Sequence, residues 1–308
     1  MVNSTTISYF ILNAYSDIKL LKYLLFMIIM FFYILIVCSN VLLIVVICMN
    51  RSLHEPMYMF LCSLFANELY GSTGFFPSLM IQILSDSHTV SKYFCLLQIF
   101  CVYSYAGVEF FNLAIMCYDR YLSICYPLQY NTRMTFNKVA ILIAIAWLSP
   151  LFMVVGTTSL SASLQLCGNT INKVYCDNYS IVKLACFDTS VNNVYGLLVS
   201  LTSVIITLIL ILYTYIRILK VCFSGSKQTR QKAVSTCTPH LAALLNFSFG
   251  CVFEVSQSRF NMSSVPGVFS IFLSVYHLTC QPLLNPLLYG LKMTKIRNIC
   301  KSLFYREG

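Results

Sequence analysis

The sequence predicts an all-α membrane protein: a bundle of seven transmembrane helices, N-terminus outside, with a short amphipathic inner helix after the seventh. Three observations carry that prediction. Of 308 residues, 58% are hydrophobic and only 10% charged, with mean hydropathy +0.77, against about a quarter charged in soluble domains. Seven apolar windows are long enough, at roughly 20 residues each, to cross about 30 Å of hydrocarbon as helix. Finally, most of the 20 Lys and Arg residues fall on one side of those windows, as the positive-inside rule requires of the cytoplasmic side.

The windows lie near residues 23–49, 57–84, 94–119, 138–160, 193–218, 233–256 and 267–290. The first, "LLFMIIMFFYILIVCSNVLLIVVIC", is apolar all round, which excludes the alternating strands of a membrane barrel. It is also too long for a signal-peptide core and reads as an uncleaved insertion signal. Three parts follow: an extracellular tail over 1–22, a seven-transmembrane domain over 23–290 and a cytoplasmic tail over 291–308. In that tail "TKIRNICKSLF" sets Ile296, Ile299 and Leu303 near helical spacing between basic residues, as in a helix lying on the inner leaflet. The net charge of +10 is explained by this topology, with no nucleic acid implied.

Polar residues inside apolar windows carry the functional signal, because ionisable groups in hydrocarbon are expensive. "MCYDRYLSICYPLQY" places Asp119 and Arg120 at the inner end of the third helix, where they serve either as an interfacial anchor or as a switch. Glu68 and Glu109 lie deep in helices two and three, either protonated and hydrogen-bonded or sharing a cation. Pro286 interrupts the hydrogen-bond ladder of helix seven, flanked by Asn285 and Tyr289. His54, His88, His240 and His277 are scattered without metal-ligand spacing, so no catalytic site is predicted. A cation-coupled transporter is the other membrane reading, but the chain shows no repeated halves.

The outer face adds checks on topology. Sequons at Asn3, Asn178 and Asn261 fall outside and are candidate glycosylation sites. Cys95, Cys167, Cys176 and Cys186 face the oxidising side, where disulfides form; four cysteines allow three connectivities, and spacing does not choose among them.

"MCYDRYLSICYPLQY", preceded by "LHEPMYMFLCSL" and followed by "KAVSTCTPHL" and "PLLNPLLYGLK", resembles the odorant-receptor family of rhodopsin-like G-protein-coupled receptors. Segment "FANELYGSTG" is similar to fish-type members. The resemblance covers essentially the whole chain. It implies a plasma-membrane receptor that binds a small odorant and activates a stimulatory, olfactory-type heterotrimeric G protein, raising cyclic AMP. A receptor of the same class for another small metabolite is the alternative. It also implies disulfides Cys95–Cys176 and Cys167–Cys186. Asp119, Arg120 and Tyr121, with Asn285, Pro286 and Tyr289, become the activation switch. If Glu68 and Glu109 share a cation rather than a proton, the resemblance makes it a sodium ion acting as an allosteric modulator; no cofactor is otherwise expected.

The ligand pocket is expected in the outer half of the bundle, lined by Tyr103, Ala106, Gly107 and Phe110 of helix three and by Ser248, Cys251, Val252, Val255 and Arg259 of helix six. Ser248 and Phe249 stand where the family usually has tyrosine then glycine. A guanidinium at Arg259 suits a carboxylate with an apolar tail. Helix three has no carboxylate outside Glu109, so a cationic ligand lacks a counter-ion there.

Overall fold

The computed structural model describes residues 7–15, 21–224, 227–259 and 267–305, and within these the side chains of 224, 227–230, 232–236, 255–259, 267–274, 277 and 303–305 lie outside the description. Seven long helices form the bundle: α1 (Lys22–Met49), α2 (Pro56–Leu84), α3 (Lys92–Cys125), α4 (Phe136–Ala162), α5 (Ser190–Ser224), α6 (Lys227–Arg259) and α7 (Gly267–Lys292). An eighth, α8 (Thr294–Tyr305), follows α7 after one residue. Among the described residues, α1, α3, α4 and most of α5 are long and apolar enough to cross a membrane.

Every helix matches one expected window, with longer ends. Helix α3 continues to Cys125 although apolarity stops near Asp119, and α5 and α6 overrun their windows by several residues. The reason is physical: backbone hydrogen bonds continue a helix after the hydrocarbon limit, whereas the window records only the apolar part. Starts are locally coded. Pro56 opens α2, where its missing N–H costs nothing, and Ser91 and Thr135 cap α3 and α4 by accepting from Phe94 N (3.3 Å) and Lys138 N (3.4 Å).

Large apolar side chains such as Phe31, Phe152 and Phe223 point outward, as lipid-facing residues do, while polar groups point in. Trp147 Nε1 donates to Ser63 Oγ (2.9 Å), which donates to Asn112 Oδ1 (2.8 Å), tying α4, α2 and α3 together. Small residues set the helix spacing. A Cβ on Gly71 would sit 2.4 Å from the Tyr105 ring, and one on Gly107 2.6 Å from Pro150 Cβ.

The 1–22 segment is more than a tail. Tyr9–Leu12 forms β1, paired antiparallel with β2 (Thr89–Ser91) and parallel with β3 (Thr170–Ile171), with Phe10 opposite Val90 and Ile11 opposite Thr170. Alternation puts Phe10 and Leu12 inward. Tyr15 follows them in: its hydroxyl donates to Val174 O (2.6 Å) and its ring stacks on His88 at 4.8 Å.

Candidate ligand pocket and switch

The two ends of the bundle are built differently. At one end Cys95 of α3 is bonded to Cys176, and Cys167 to Cys186, within the connection between α4 and α5. Both bonds are the pairs the family resemblance implied. The backbone N–H of Cys176 also donates to Gln98 Oε1 (3.0 Å), fixing this strap against α3.

Beneath the strap lies a charged cluster. Tyr175 is buried, packs edge-on against Phe75, and donates its hydroxyl to Glu254 of α6. Lys173 Nζ lies 2.8 Å from the same carboxylate and 3.6 Å from Asp177. Burial, then the Glu254 and Asp177 charges, hold the Tyr175 hydroxyl well above the usual tyrosine pKa, so it stays a donor.

Of the expected pocket residues, Tyr103, Ala106 and Cys251 are half-buried against the core, and Phe110 meets Phe247 of α6 edge-on at 4.7 Å. Ser248 is half-buried on α6. Two expectations are corrected. Gly107 faces Pro150 of α4, where it permits close helix contact, and so does not line the pocket. Val252 is 66% exposed on the outside of the bundle, because its neighbour Cys251 faces inward and adjacent helical residues point about 100° apart. The side chains of Val255 and Arg259 lie outside the described residues, as do Asn3 and Asn261. Asn178 is buried at 9% exposure, and its Oδ1 accepts from Ser161 Oγ (2.5 Å).

Mid-bundle, Glu68 and Glu109 join one fully buried network. Asn285 Nδ2 donates to Glu68 Oε1 (2.6 Å) and Glu109 Oε1 (3.0 Å). Tyr105 OH donates to Glu68 Oε2 (3.1 Å), Asn67 Nδ2 to Glu109 Oε2 (2.9 Å) and Gln281 Nε2 to Glu109 Oε1 (3.3 Å). The carbonyl oxygens of Asn67 and Asn285 are buried with no hydrogen bond. Among the described residues no group of three or more His, Cys, Asp or Glu is gathered to hold a metal ion.

Helix α7 carries the kink residues. Pro286 has no N–H for the Pro282 carbonyl, and Asn40 of α1 supplies one instead, Nδ2 to Pro282 O at 3.0 Å. Tyr289, fully buried, shares a hydrogen bond with His240 of α6 (3.1 Å). At the end opposite the disulfides, Asp119 is fully buried and accepts from Arg120, with Nε at 3.0 Å. Its second oxygen accepts from Tyr130 OH (2.6 Å), a residue of the short turn Tyr130–Arg133. Tyr121 reaches Tyr126 through its hydroxyl (3.4 Å) and packs edge-on against Tyr213 of α5. Sequence reasoning missed Asn40, Tyr130, Tyr175 and the clustering of Lys173 and Asp177 with Glu254.

A long-helix bundle with a stapled strap at one end and a buried Asp–Arg pair at the other defines a seven-helix receptor scaffold. The crystal structure of squid rhodopsin is similar in fold, with a TM-score of 0.75 over 92% of this chain and 85% of that one, at 17% identity. The family model described as olfactory receptor matches residues 29–307. Human olfactory receptor 6N1 is 32% identical over 99% of this chain and 98% of its own length. Mouse olfactory receptor 6E1 is 32% identical over 98% and 96%, and human olfactory receptor 52K1 is 32% identical over 85% and 84%. The chain belongs to the olfactory receptor family. It is accordingly a membrane receptor of the G-protein-coupled class and not an enzyme.

Proposed function

We propose that this chain is an odorant receptor of the plasma membrane, with seven spans and its N-terminus and disulfides outside. A small odorant binds in the outer half of the bundle, and the inner end then activates a stimulatory, olfactory-type G protein that raises cyclic AMP. The buried Asp119–Arg120 pair, closed by Tyr130, is the observation that carries this reading. Such a pair is a two-state element: in one state Asp119, itself held by Tyr130, holds the guanidinium, and in the other Arg120 is released toward a partner. An odorant drives the exchange only by binding the second state more tightly. The orientation is supported by the disulfides, which belong in an oxidising compartment, and by the basic excess at the other end.

Tyr121, Asn285, Pro286 and Tyr289 take part in the same rearrangement. Asn285 ties α7 to both carboxylates, and Tyr289 ties it to α6, so moving α6 must break or shift the Tyr289 bond and moving α7 the Asn285 bonds. The network fits a sodium ion. Two carboxylates and the two carbonyl oxygens without hydrogen bonds supply hard oxygen ligands once the amides turn. Glu68, Glu109, Asn67 and Asn285 would hold the ion, which supplies the positive charge that two buried carboxylates require.

The test is cyclic-AMP production in cells co-expressing the chain with an olfactory-type G protein, across acids, amines, alcohols and esters. A ligand response that is lost in Arg120→Ala at equal surface expression is expected. A response that survives Arg120→Ala would refute the switch assignment.

A further inference from the structure

The cluster under the strap has a charge arrangement that helix three alone did not disclose. Its described charged members are two carboxylates, Asp177 and Glu254, and one ammonium, Lys173, all largely buried, with side-chain exposures of 4%, 19% and 11%. Lys173 is within hydrogen-bond distance of Glu254 at 2.8 Å but stands 3.6 Å from Asp177, beyond a normal hydrogen bond. Neither oxygen of Asp177 has a hydrogen-bond partner. Asp177 occupies the N-cap position of the short helix Asn178–Lys183, yet its side chain makes no capping bond, although that is the usual use of aspartate there. A buried carboxylate without donors is costly, and what it requires is a cation bearing N–H groups.

The cluster also borders residues expected to line the pocket. Glu254 lies one turn beyond Cys251 on α6 and within its electrostatic reach, and Tyr103 of α3 stands in the same relation to Tyr175. Below them Phe110 and Phe247 are apolar. We infer that Asp177 and Glu254 form an ammonium subsite at the outer end of the pocket, which selects a ligand with a primary amine head and an apolar tail reaching toward Tyr103 and Cys251.

An ammonium group brings one positive charge and three donors, enough to serve Asp177 while sharing Glu254 with Lys173 and Tyr175. A hydroxyl brings one donor and no charge, and a carboxylate is repelled by both acids. The inference rests on the odorant-receptor reading for its signalling consequence but not for binding itself. It opposes the carboxylate ligand suggested by Arg259, and one ligand series decides between them.

The experiment is thermal unfolding of the purified receptor in lipid nanodiscs with hexylamine, hexanol or hexanoate, paired with cyclic-AMP assays of the same compounds. Hexylamine is expected to raise the unfolding temperature in a saturable way, and hexanol and hexanoate to leave it unchanged. Asp177→Asn should weaken the hexylamine effect by at least about tenfold with the unliganded unfolding temperature preserved. Lys173→Met, which removes the competing internal ammonium, should strengthen it.

Stabilisation by hexanoate alone, or hexylamine binding equally to the parent and Asp177→Asn, would overturn the inference. If Asp177→Asn does not fold, the comparison of hexylamine with hexanol on the parent protein decides. An Arg120-dependent cyclic-AMP response to hexanol or hexanoate, without hexylamine binding, would sink the subsite and leave the receptor function standing. Hexylamine binding with no cyclic-AMP response would do the reverse.

Discussion

The disulfide end and the Asp119 end of this bundle solve opposite problems with the same helices. At the disulfide end, covalent bonds, a three-stranded sheet and the buried Tyr175 fix one arrangement. At the other end, Asp119 of α3 is held by hydrogen bonds and an ion pair, each of which can be exchanged for another partner. A disulfide that closes a long loop stabilises by about 2–5 kcal/mol, whereas a single hydrogen bond contributes about 0.5–1.5 kcal/mol. One end is therefore rigid enough to hold the proposed pocket and the other loose enough for the proposed switch.

The sharpest way to break that comparison is at the staple. Cys176→Ser removes the bond across a sequence separation of 81 residues and is expected to cost about 2–5 kcal/mol, seen as loss of cell-surface receptor by antibody labelling of intact cells. Normal surface levels and ligand response would show that the sheet and Tyr175 suffice without it. The next effect in size is at the helix contact. Gly107→Ala must push Pro150 away from a 2.6 Å approach, with an expected loss of about 1–3 kcal/mol in the unfolding of purified receptor. A change in ligand potency with stability intact would instead return Gly107 to the pocket lining.

How much of this was legible in the sequence follows from what each signal encodes. Apolar windows located all seven helices because transfer into lipid is additive along the chain. The disulfide partners came only with the family resemblance, since connectivity depends on which loops meet. Gly107 and Val252 were misassigned because spacing places a residue on a helix face but not that face within a bundle. Two signals could have corrected them: glycine in a membrane helix marks close packing, and Val252 cannot share a direction with the adjacent Cys251. Strands of two to four residues, as here, leave too short an alternation to read. Tyr130 and the Lys173–Glu254 cluster arise from contacts between residues 11 and 81 positions apart, which no local pattern records.

At the Asp119 end the expected effects become smaller and, on the proposed reading, more specific to signalling. Tyr130→Phe deletes one hydrogen bond to Asp119, worth about 0.5–1.5 kcal/mol. If that bond belongs to the resting state alone, ligand-free cyclic AMP should rise by roughly the corresponding few-fold shift in population, with surface expression unchanged. Unchanged basal signalling would mean that Tyr130 holds Asp119 equally in both states. Asp119→Asn should raise basal signalling further, since it weakens the pairing with Arg120 as well.

The smallest effect expected is at a second ion pair on the same face. Lys295 of α8 meets Glu55 at 2.6 Å, a shorter contact than many buried pairs, but the two side chains are 53% and 56% exposed. The Glu55 hydrogen bond raises the Lys295 pKa above its ordinary value, but lysine is charged at neutral pH in any case, and water and salt screen the pair. Exposed pairs contribute a median of about 0–1 kcal/mol, and discounting for screening puts this one at the lower part of that range. Lys295→Met should therefore leave unfolding temperature and basal cyclic AMP unchanged, with any residual difference disappearing as salt is raised. A basal increase comparable with that of Tyr130→Phe would mean that α8 is coupled to the switch. The comparison would then lie between the two ends as wholes, and not between a buried Asp–Arg pair and an exposed Glu–Lys pair on one face.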